Sequence, residues 1–428
     1  MAKNEDQLNI AVIGAGIAGI TSAYLLAKKH RVTLFERNSY VGGHTNTIAV
    51  SERDQGEPRV LPVDTGFIVC NPKTYPTFYR LLAEWGVHLR DSDMSFGFSC
   101  DETRVGYSGP EMREFLRKPS NLLSPKLLGM IRTQRKFNQR AADDLERGNL
   151  TGLTLGEYLK RIGVSSFFIE HYLTPLAAAV WSSPDADIGQ FPAETFIRFF
   201  ANHGLLDLRD RPTWQTVVGG SSAYIKAFRA QFRGDIFMDS PAQNVERDGD
   251  GVSVTLKDGQ TSRFDHVVLA THADESLALL GDPTEAERSA LSAWSYHDNH
   301  VQLHTDESVM PKDRRLWSSW NYRRSSQAGT TAPVNITYYM NRLQGLQTQN
   351  NYFVSLNSKE CVDPAQVIYA VDYKHPAYTS RSVDSQEHIR SMNGKRNTWF
   401  CGAYMRYGFH EDAVVSAAAV ASEFGITI

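Results

Sequence analysis

Cysteine is scarce in this chain of 428 residues, and its few positions exclude two kinds of site. The four cysteines, Cys70, Cys100, Cys361 and Cys401, stand far apart, and no two have the close spacing of a zinc-binding pair. We therefore expect neither a zinc site nor a disulfide framework, and a reduced compartment fits best. No Ser-His-Asp set, pair of carboxylates or metal cluster can be defended either, so no metal and no catalytic side chain is predicted.

Long apolar runs and a strong net charge are also missing. The first nine residues are polar, and glycines at 14, 16 and 19 interrupt the apolar stretch that follows, so we expect no signal peptide. No run approaches the roughly 20 apolar residues of a membrane span. With 45 Lys and Arg against 48 Asp and Glu the net charge is −3, which gives no reason to expect nucleic acid as a partner. We expect a cytoplasmic protein.

The first 36 residues have the pattern of a dinucleotide-binding unit. Residues 8–13 are typical of a buried strand, 17–29 of a helix and 31–35 of a second strand. Between the first strand and the helix, Gly14-Ala15-Gly16-Ile17-Ala18-Gly19 fits the GxGxxG motif. Its glycines permit a tight turn, approach of the backbone to a diphosphate, and close packing of the helix on the strand. The diphosphate would lie at the positive end of the helix.

Glu36 extends this pattern to the nucleotide's ribose. It stands 22 residues after Gly14, at the tip of the second strand, where a carboxylate can bind both ribose hydroxyls. A carboxylate there disfavours a 2′-phosphate and so argues against NADP. These residues leave FAD and NAD as alternatives.

Further motifs follow in an order that resembles the FAD-containing amine oxidase and phytoene desaturase superfamily along almost the whole chain. Glu36-Arg37 with Gly42-Gly43 resembles its ER…GG element, and residues 63–68 resemble its D-x-G strand, whose backbone passes the flavin ring. Residues 241–245 with 264–271 resemble its adenine-side unit. Gly402 with residues 408–413 resembles its C-terminal flavin motif. The resemblance implies FAD as the cofactor.

Within that superfamily, the chain resembles a bacterial branch of FAD/NAD-binding oxidoreductases whose genes often neighbour cyclopropane-fatty-acid-synthase-like genes. The motifs together give the predicted cofactor-binding residues. They are Gly14, Gly16, Ile17, Ala18, Gly19, Glu36, Arg37, Gly42, Gly43, His44, Thr45, Thr65, Gly66, Phe67, Ile68, Val245, Ala270, Thr271, Gly402, Phe409, His410, Glu411 and Ala413.

The fold class expected is α/β. Strand patterns near both ends of the chain and again in its middle indicate a Rossmann-type FAD-binding domain interleaved with a mixed α+β substrate domain, as in amine oxidases. We place the discontinuous FAD-binding domain at 1–75, 215–297 and 385–428. The substrate domain takes 76–214 and 298–384.

The turn at 408–413 opens an alanine-rich helix and has two interpretations. Laid under the flavin C2 carbonyl, its free N–H groups and the helix dipole would stabilise negative charge on the reduced ring. His410 would supply one such N–H, and Phe409 would lie near the ring. Alternatively, Glu411 and Asp412 merely begin a helix, as acidic residues often do.

Aromatic side chains are dense between residues 167 and 200, and such density can line a pocket for an apolar chain. The predicted substrate-pocket residues are Tyr172, Trp181, Phe196, Phe200, Trp320 and Tyr338. Two features depart from the amine oxidases. The stretch 299–305 lacks the lysine that in those enzymes reaches the flavin N5 through a water, and His44 stands where their usual arginine would be.

Residues 111–140 carry eight Lys and Arg against two Glu, with leucines between them. Such a segment can lie on an anionic bilayer, on the inner face of the membrane, or can be a solvated helix face. The sequence leaves both interpretations open.

These features predict an FAD-dependent dehydrogenase or desaturase that takes hydride from an apolar substrate, such as a fatty acyl lipid. Three alternatives remain: an amine oxidase, a redox-neutral flavin-dependent lipid isomerase, and a non-catalytic lipid-binding flavoprotein. The substrate, the electron acceptor and the oligomeric state are not predicted.

Overall fold

A parallel sheet of five strands forms the first layer of the fold. The computed structural model describes residues 7–54, 56–109, 121, 124–206, 212–324 and 336–428. The sheet order is β10-β2-β1-β14-β20. The strands are β1 Asn9–Ile13, β2 Arg31–Phe35, β10 Asp235–Phe237, β14 His266–Leu269 and β20 Thr398–Phe400. Their short apolar runs suit a parallel sheet that is covered on both faces.

Two helices cover one part of this sheet and pack against each other. Helix α1 is Ile17–Leu26, and helix α14, the last in the described chain, is His410–Glu423. All ten residues of α1 are buried, including Thr21 and Ser22. Small residues such as Ala417 on α14 let the two backbones approach closely.

The largest sheet has seven strands and faces the parallel sheet across the cavity described below. Its order is β19-β15-β18-β17-β16-β7-β8, and the neighbours are antiparallel except β16 and β7. The strands are β7 Phe96–Cys100, β8 Gly106–Ser108, β15 Tyr296–His304, β16 Trp320–Arg324, β17 Ile336–Tyr339, β18 Phe353–Leu356 and β19 Val367–Pro376.

Smaller sheets and helices complete the chain. An antiparallel trio is β11 Ala242–Asp248, β12 Gly251–Leu256 and β13 Thr261–Phe264; a hairpin is β3 Thr47–Asp54 and β4 Glu57–Asp64; a third group is β5 Val69–Cys70, β6 Leu89–Asp91 and β9 Gln215–Val217. The other helices are α2 Pro76–Glu84, α3 Pro125–Glu146, α4 Leu155–Arg161, α5 Ser166–Phe168, α6 Thr174–Trp181, α7 Asp185–Ile188, α8 Ala193–Asn202, α9 Ser222–Gln231, α10 Ala273–Leu279, α11 Glu285–Leu291, α12 Met340–Leu343 and α13 Ser380–Met392.

Residues 261–269 form two strands, each in a different sheet. The run 264–270 divides at Asp265, where the chain passes from the antiparallel trio to the parallel sheet. Asp265 fixes the crossing, because its backbone N–H donates to the Asn9 carbonyl and its carboxylate accepts the Asn9 N–H at 2.6 Å.

The α/β fold class with a Rossmann-like core is confirmed, whereas the domain boundaries stay a prediction. No helix of the described residues is long and apolar enough to cross a membrane.

Candidate functional site

A cavity of about 800 Å³ lies between the carboxyl ends of the parallel strands and the seven-stranded sheet. Ligand pockets in proteins commonly measure about 300–1,000 Å³. Its walls come from both ends and the middle of the chain, including the turn after β1, the start of α14 and the strands β15 and β19. The arrangement gathers most of the predicted motifs around one space.

Each glycine of the GxGxxG turn meets a different constraint. Gly14 has a φ of +97°, and a Cβ there would lie 2.9 Å from the Ala270 carbonyl oxygen. A Cβ on Gly19 would lie 1.7 Å from the Gly14 carbonyl oxygen, so helix and turn touch directly. A Cβ on Gly16 would meet nothing within 4 Å, because it would point into open space. Gly14 and Gly19 thus serve packing, and Gly16 keeps the cavity clear.

The N-terminus of α1 offers unpartnered backbone N–H groups to this cavity. Gly16 is its N-cap and provides no side-chain acceptor, and the first turn carries no acidic residue. A second glycine pair faces the turn: Gly42 donates to the Ala15 carbonyl at 2.9 Å, and a Cβ on Gly43 would lie 3.2 Å from the Gly16 Cα. Two stretches of bare backbone beside a helix N-terminus suit a diphosphate.

Glu36 is held rigidly at the tip of β2. Its carboxylate accepts the N–H of Ala15 at 2.8 Å and of Asn38 at 2.9 Å, and the residue is 5% exposed. Arg37 forms an ion pair with Glu275 at 2.7 Å and lines the same cavity. Glu36 also lines the cavity, and its predicted contact with a ribose stays a prediction.

The loop after β4 is anchored by a buried carboxylate. Asp64 accepts hydrogen bonds from the Ser221 N–H at 2.8 Å and from Gln344 Nε2 at 2.9 Å. A Cβ on Gly66 would lie 2.0 Å from the His44 carbonyl oxygen, so the two loops are in direct contact. Burial raises the pKa of Asp64 to about 6. This anchor holds Thr65, Gly66 and Phe67 at the cavity wall.

The start of α14 forms another wall. Asp412 accepts the Phe409 N–H at 2.9 Å, and burial raises the pKa of Asp412 to about 7. The His410 ring stacks on Phe67 with centroids 3.7 Å apart, and its Nε2 lies 3.1 Å from the Tyr224 hydroxyl. Burial lowers the pKa of His410 to about 3, so this imidazole is neutral near pH 7.

The seven-stranded sheet presents an apolar row to the cavity. Val301 on β15 pairs with Leu356 on one neighbouring strand and with Val371 on the other, and all three line the space. Trp181 and Tyr338 continue this wall. The row crosses the stretch 299–305, which lacks the lysine of the amine oxidases.

Three histidines lie together at another part of the wall. The His44 ring centroid is 5.2 Å from that of His375 and 6.5 Å from that of His272. The sequence prediction does not group these three histidines, because they come from segments more than 90 residues apart. Alternation along β19 places Val371, Tyr373 and His375 on one face, which is a signal in the sequence, but alternation alone does not show which face meets the cavity.

Twenty of the predicted cofactor and substrate residues line the cavity. They are Gly14, Gly16, Ile17, Ala18, Glu36, Arg37, Gly42, Gly43, His44, Thr65, Gly66, Phe67, Ala270, Thr271, Gly402, Phe409, His410, Ala413, Trp181 and Tyr338. Gly19 supports the turn from behind, Ile68 is buried, and Thr45 contacts Tyr224 and His410.

The other predicted residues lie outside the wall for physical reasons. Val245 pairs with Val254 in the β11 ladder and is buried, whereas the cavity is lined by residues 240–243 that precede it. Glu411 accepts the backbone N–H groups of Thr77 and Phe78 at the start of α2.

The remaining predicted aromatic residues pack behind the wall. Phe196 and Phe200 are buried in the core and pack against Trp181, Phe196 with its ring tilted and Phe200 with its ring stacked. Tyr172 bonds to Gln134, and Trp320 packs edge-on against Tyr338 with centroids 5.0 Å apart. These four side chains support the cavity without touching its space.

The basic segment 111–140 is described only in part, because residues 111–120, 122 and 123 lie outside the described residues. Within α3, Arg132, Arg135 and Lys136 are exposed, whereas Leu127 and Met130 are buried. Leu128, in contrast, is 39% exposed on the same helix. The described part of the segment therefore presents exposed cations and an exposed leucine to its surroundings.

The comparisons with known proteins agree with this geometry. A model of the family "flavin containing amine oxidoreductase" matches residues 17–350. An L-amino-acid oxidase of Siganus canaliculatus is 24% identical over 361 residues, which cover 77% of this chain and 62% of that protein. The chain thus spans less than two thirds of the length of that relative.

Two solved structures are similar over nearly their whole length. Cyclohexylamine oxidase from Brevibacterium oxydans has a TM-score of 0.68 at 14% identity, covering 98% of this chain and all of that one. A CLA-producing fatty acid isomerase from P. acnes has a TM-score of 0.66 at 16% identity, covering 98% and 99%. At these identities the likeness shows the fold alone.

Proposed function

Because the chain belongs to the family of flavin-containing amine oxidoreductases, we propose that it is an FAD-dependent oxidoreductase that removes hydride from an uncharged, apolar substrate such as a fatty acyl chain. The family match confirms FAD as the predicted cofactor. The residues present fit it: bare glycine backbone and the α1 N-terminus for the diphosphate, and Glu36 for the ribose. FAD, when bound, supplies the hydride acceptor.

The apolar row of Val301, Leu356 and Val371 carries this proposal. Burying an ammonium group without a counter-ion is costly, and three carboxylates line the described part of the cavity. Glu36 is engaged at the helix N-terminus, Glu275 pairs with Arg37, and Asp372 is exposed and pairs with His300. None of the three extends the apolar row, so an uncharged substrate suits this wall better than an amine.

The same side chains define what the protein contributes to catalysis. Val301 and Leu356 exclude water from the reacting region, and Tyr338 and Trp181 orient an apolar chain by contact. The free N–H groups at the start of α14 favour negative charge nearby. We assign no proton-transfer role to a side chain.

Anaerobic reduction of the bound FAD tests the proposal. We expect a panel of fatty acyl lipids to bleach the flavin absorbance and a panel of primary amines to leave it unchanged. Val301→Glu would place a carboxylate in the apolar row. An uncharged acyl chain would bury that carboxylate without a partner, at a cost of several kcal/mol, so we expect bleaching by acyl lipids to slow at least roughly tenfold. Bleaching by amines alone would contradict the proposal, and a product of unchanged mass would indicate the isomerase.

We further propose that the exposed basic face of α3 makes a peripheral contact with anionic lipid. Each Lys or Arg near such a surface contributes about 1 kcal/mol. We expect wild-type protein to co-sediment with anionic vesicles but not neutral ones, less so as salt rises, because screening at about 0.15 M limits the attraction to roughly 8 Å.

Charge reversal distinguishes the two interpretations of this segment. Arg132→Glu, Arg135→Glu and Lys136→Glu together should abolish co-sedimentation. A matched triple on α9 and just after it, Lys226→Glu, Arg229→Glu and Arg233→Glu, changes three exposed cations elsewhere by the same charge and should preserve co-sedimentation. Equal, negligible binding of wild type to both vesicles would leave α3 as a solvated face.

A further inference from the structure

His44, His272 and His375 form a histidine cluster, and apart from the predicted cofactor contact of His44 the proposed function assigns it no role. The His44 ring stacks on Tyr373 at 4.6 Å, and the His272 ring stacks on Tyr296 at 4.3 Å. All three histidines line the cavity. No group of His, Cys, Asp and Glu among the described residues has the arrangement of a metal site, so the cluster calls for another ligand.

The position of the cluster identifies that ligand. His44 directly follows Gly43, which packs on Gly16, and His272 directly follows Thr271, whose side chain and neighbour Ala270 pack on Gly14. Two of the three histidines therefore stand on the segments that bracket the glycine turn and the α1 N-terminus. The diphosphate of FAD is the anion that this turn would hold.

Two ring nitrogens of the cluster are unsatisfied. His44 Nε2 and His272 Nδ1 are shielded from solvent and have no hydrogen-bond partner among the described residues. Buried polar atoms in folded proteins nearly always have a partner, so such orphans point to a group that arrives later. A proton on an imidazole, with an anion nearby, would give these unpartnered ring nitrogens an electrostatic partner.

We propose that the cluster His44, His272 and His375 takes up about one proton when the diphosphate of FAD enters the cavity, so that the affinity for FAD falls as pH rises. This inference depends on the cofactor and not on the substrate proposed above.

The surroundings of the cluster determine that FAD binding raises its pKa and does not lower it. Burial holds the pKa of His44 well below its usual value, lowers that of His272, and lowers that of His375 to about 4, so the free protein carries these rings neutral at pH 7. An anion within about 4–6 Å raises a histidine pKa by about 1 to 3. The two negative charges of the diphosphate thus favour the imidazolium. The pKa of the cluster is then higher with FAD than without it.

Charged and titratable groups face the cluster from every neighbouring element. They are Tyr373 and Lys374 on β19, Tyr296 and His297 on β15, Asp274 and Glu275 on α10, Arg37 after β2 and His410 on α14. Glu275 favours a proton on His272, while Arg37 and Lys374 oppose it. A first proton on one ring disfavours a second on the next, which limits the uptake to about one.

Titration of apoprotein with FAD between pH 5.5 and 8.5 tests the inference. Between the lower pKa of the free cluster and its higher pKa in the complex, one linked proton changes the Kd about tenfold per pH unit. If the two charges of the diphosphate raise the pKa of His375 by about 2 to 3 from about 4, FAD should bind roughly 4- to 30-fold more weakly at pH 8.5 than at pH 5.5. Calorimetry in buffers of different ionisation enthalpy should show uptake of about one proton at the acidic end and none at pH 8.5.

Fragments of FAD and variants of the protein show which groups cause the pH dependence of FAD binding. ADP-ribose carries the same diester diphosphate as FAD, without a terminal phosphate that titrates in this pH range, and should show the same pH dependence. Riboflavin lacks the diphosphate and should not. The triple variant His44→Gln, His272→Gln and His375→Gln should bind FAD with a pH-independent Kd and no proton uptake. His30→Gln, a partly buried histidine at the opposite end of β2 that also has a lowered pKa, should behave as wild type.

Two results would overturn the inference. One is a wild-type Kd for FAD that stays constant within twofold from pH 5.5 to 8.5 with no proton uptake. The other is an equal pH dependence for riboflavin and ADP-ribose, which would place the titrating group away from the diphosphate. Both measurements use wild-type protein, so they decide the matter even if the triple variant does not fold.

Discussion

Gly16→Val is expected to give a folded, colourless protein. Gly16 has an extended backbone conformation that valine adopts without strain, and a Cβ there meets nothing within 4 Å. The valine methyl groups would instead occupy the space beside the α1 N-terminus where the diphosphate must approach. We expect FAD to bind roughly 100-fold more weakly or worse, a loss of about 2.7 kcal/mol. FAD titration of the apoprotein, with thermal unfolding in parallel, measures both properties.

Gly19→Ala is the matched control, because it changes the same motif for a different reason. Its Cβ would lie 1.7 Å from the Gly14 carbonyl oxygen, so the helix or the turn must move. We expect the free energy of unfolding of the apoprotein to fall by about 1–3 kcal/mol or more, since this is the typical cost of overpacking. If Gly16→Val instead unfolded the apoprotein or kept the wild-type Kd for FAD, our assignment of the open space to the diphosphate would be wrong.

The parts of this site that the sequence predicts are those whose geometry is local. A strand, a turn and a helix of fixed spacing dictate where Gly14, Gly16 and Glu36 stand relative to one another. The same holds for Phe409 and His410 at the start of α14. In each case the chemistry depends on backbone conformation within a few residues, which the residue types reveal.

The parts that the sequence does not predict depend on pairing between distant segments. Val301 faces Val371 only because β15 and β19 pair in one register, and a shift by one residue would turn the opposite face toward the cavity. At β11, likewise, the predicted Val245 is paired within a strand ladder, and the cavity is lined by the residues just before it. The histidine cluster forms only when three distant segments, those of His44, His272 and His375, meet at the same part of the cavity wall.

Glu411 shows the same limit in a single side chain, and its replacement gives the second large effect. The sequence groups it with the flavin motif, but its carboxylate accepts the Thr77 N–H at 2.9 Å and the Phe78 N–H at 2.8 Å. The N-cap of α2, Tyr75, offers no side-chain acceptor, so Glu411 satisfies the helix start from 334 residues away. Glu411 is 6% exposed, and water cannot readily replace it.

Glu411→Ala should therefore destabilise the apoprotein. Two buried N–H groups would lose their acceptor at about 1–3 kcal/mol each, so we expect the free energy of unfolding to fall by on the order of 3 kcal/mol. Urea denaturation of the apoprotein measures this. Glu411→Gln keeps one carbonyl oxygen and should lose less, while Glu423→Ala removes an exposed carboxylate from the other end of α14 and should change stability by less than about 0.5 kcal/mol. If Glu411→Ala left stability unchanged but weakened FAD binding, the carboxylate would serve the cofactor, as the sequence predicts, and not α2.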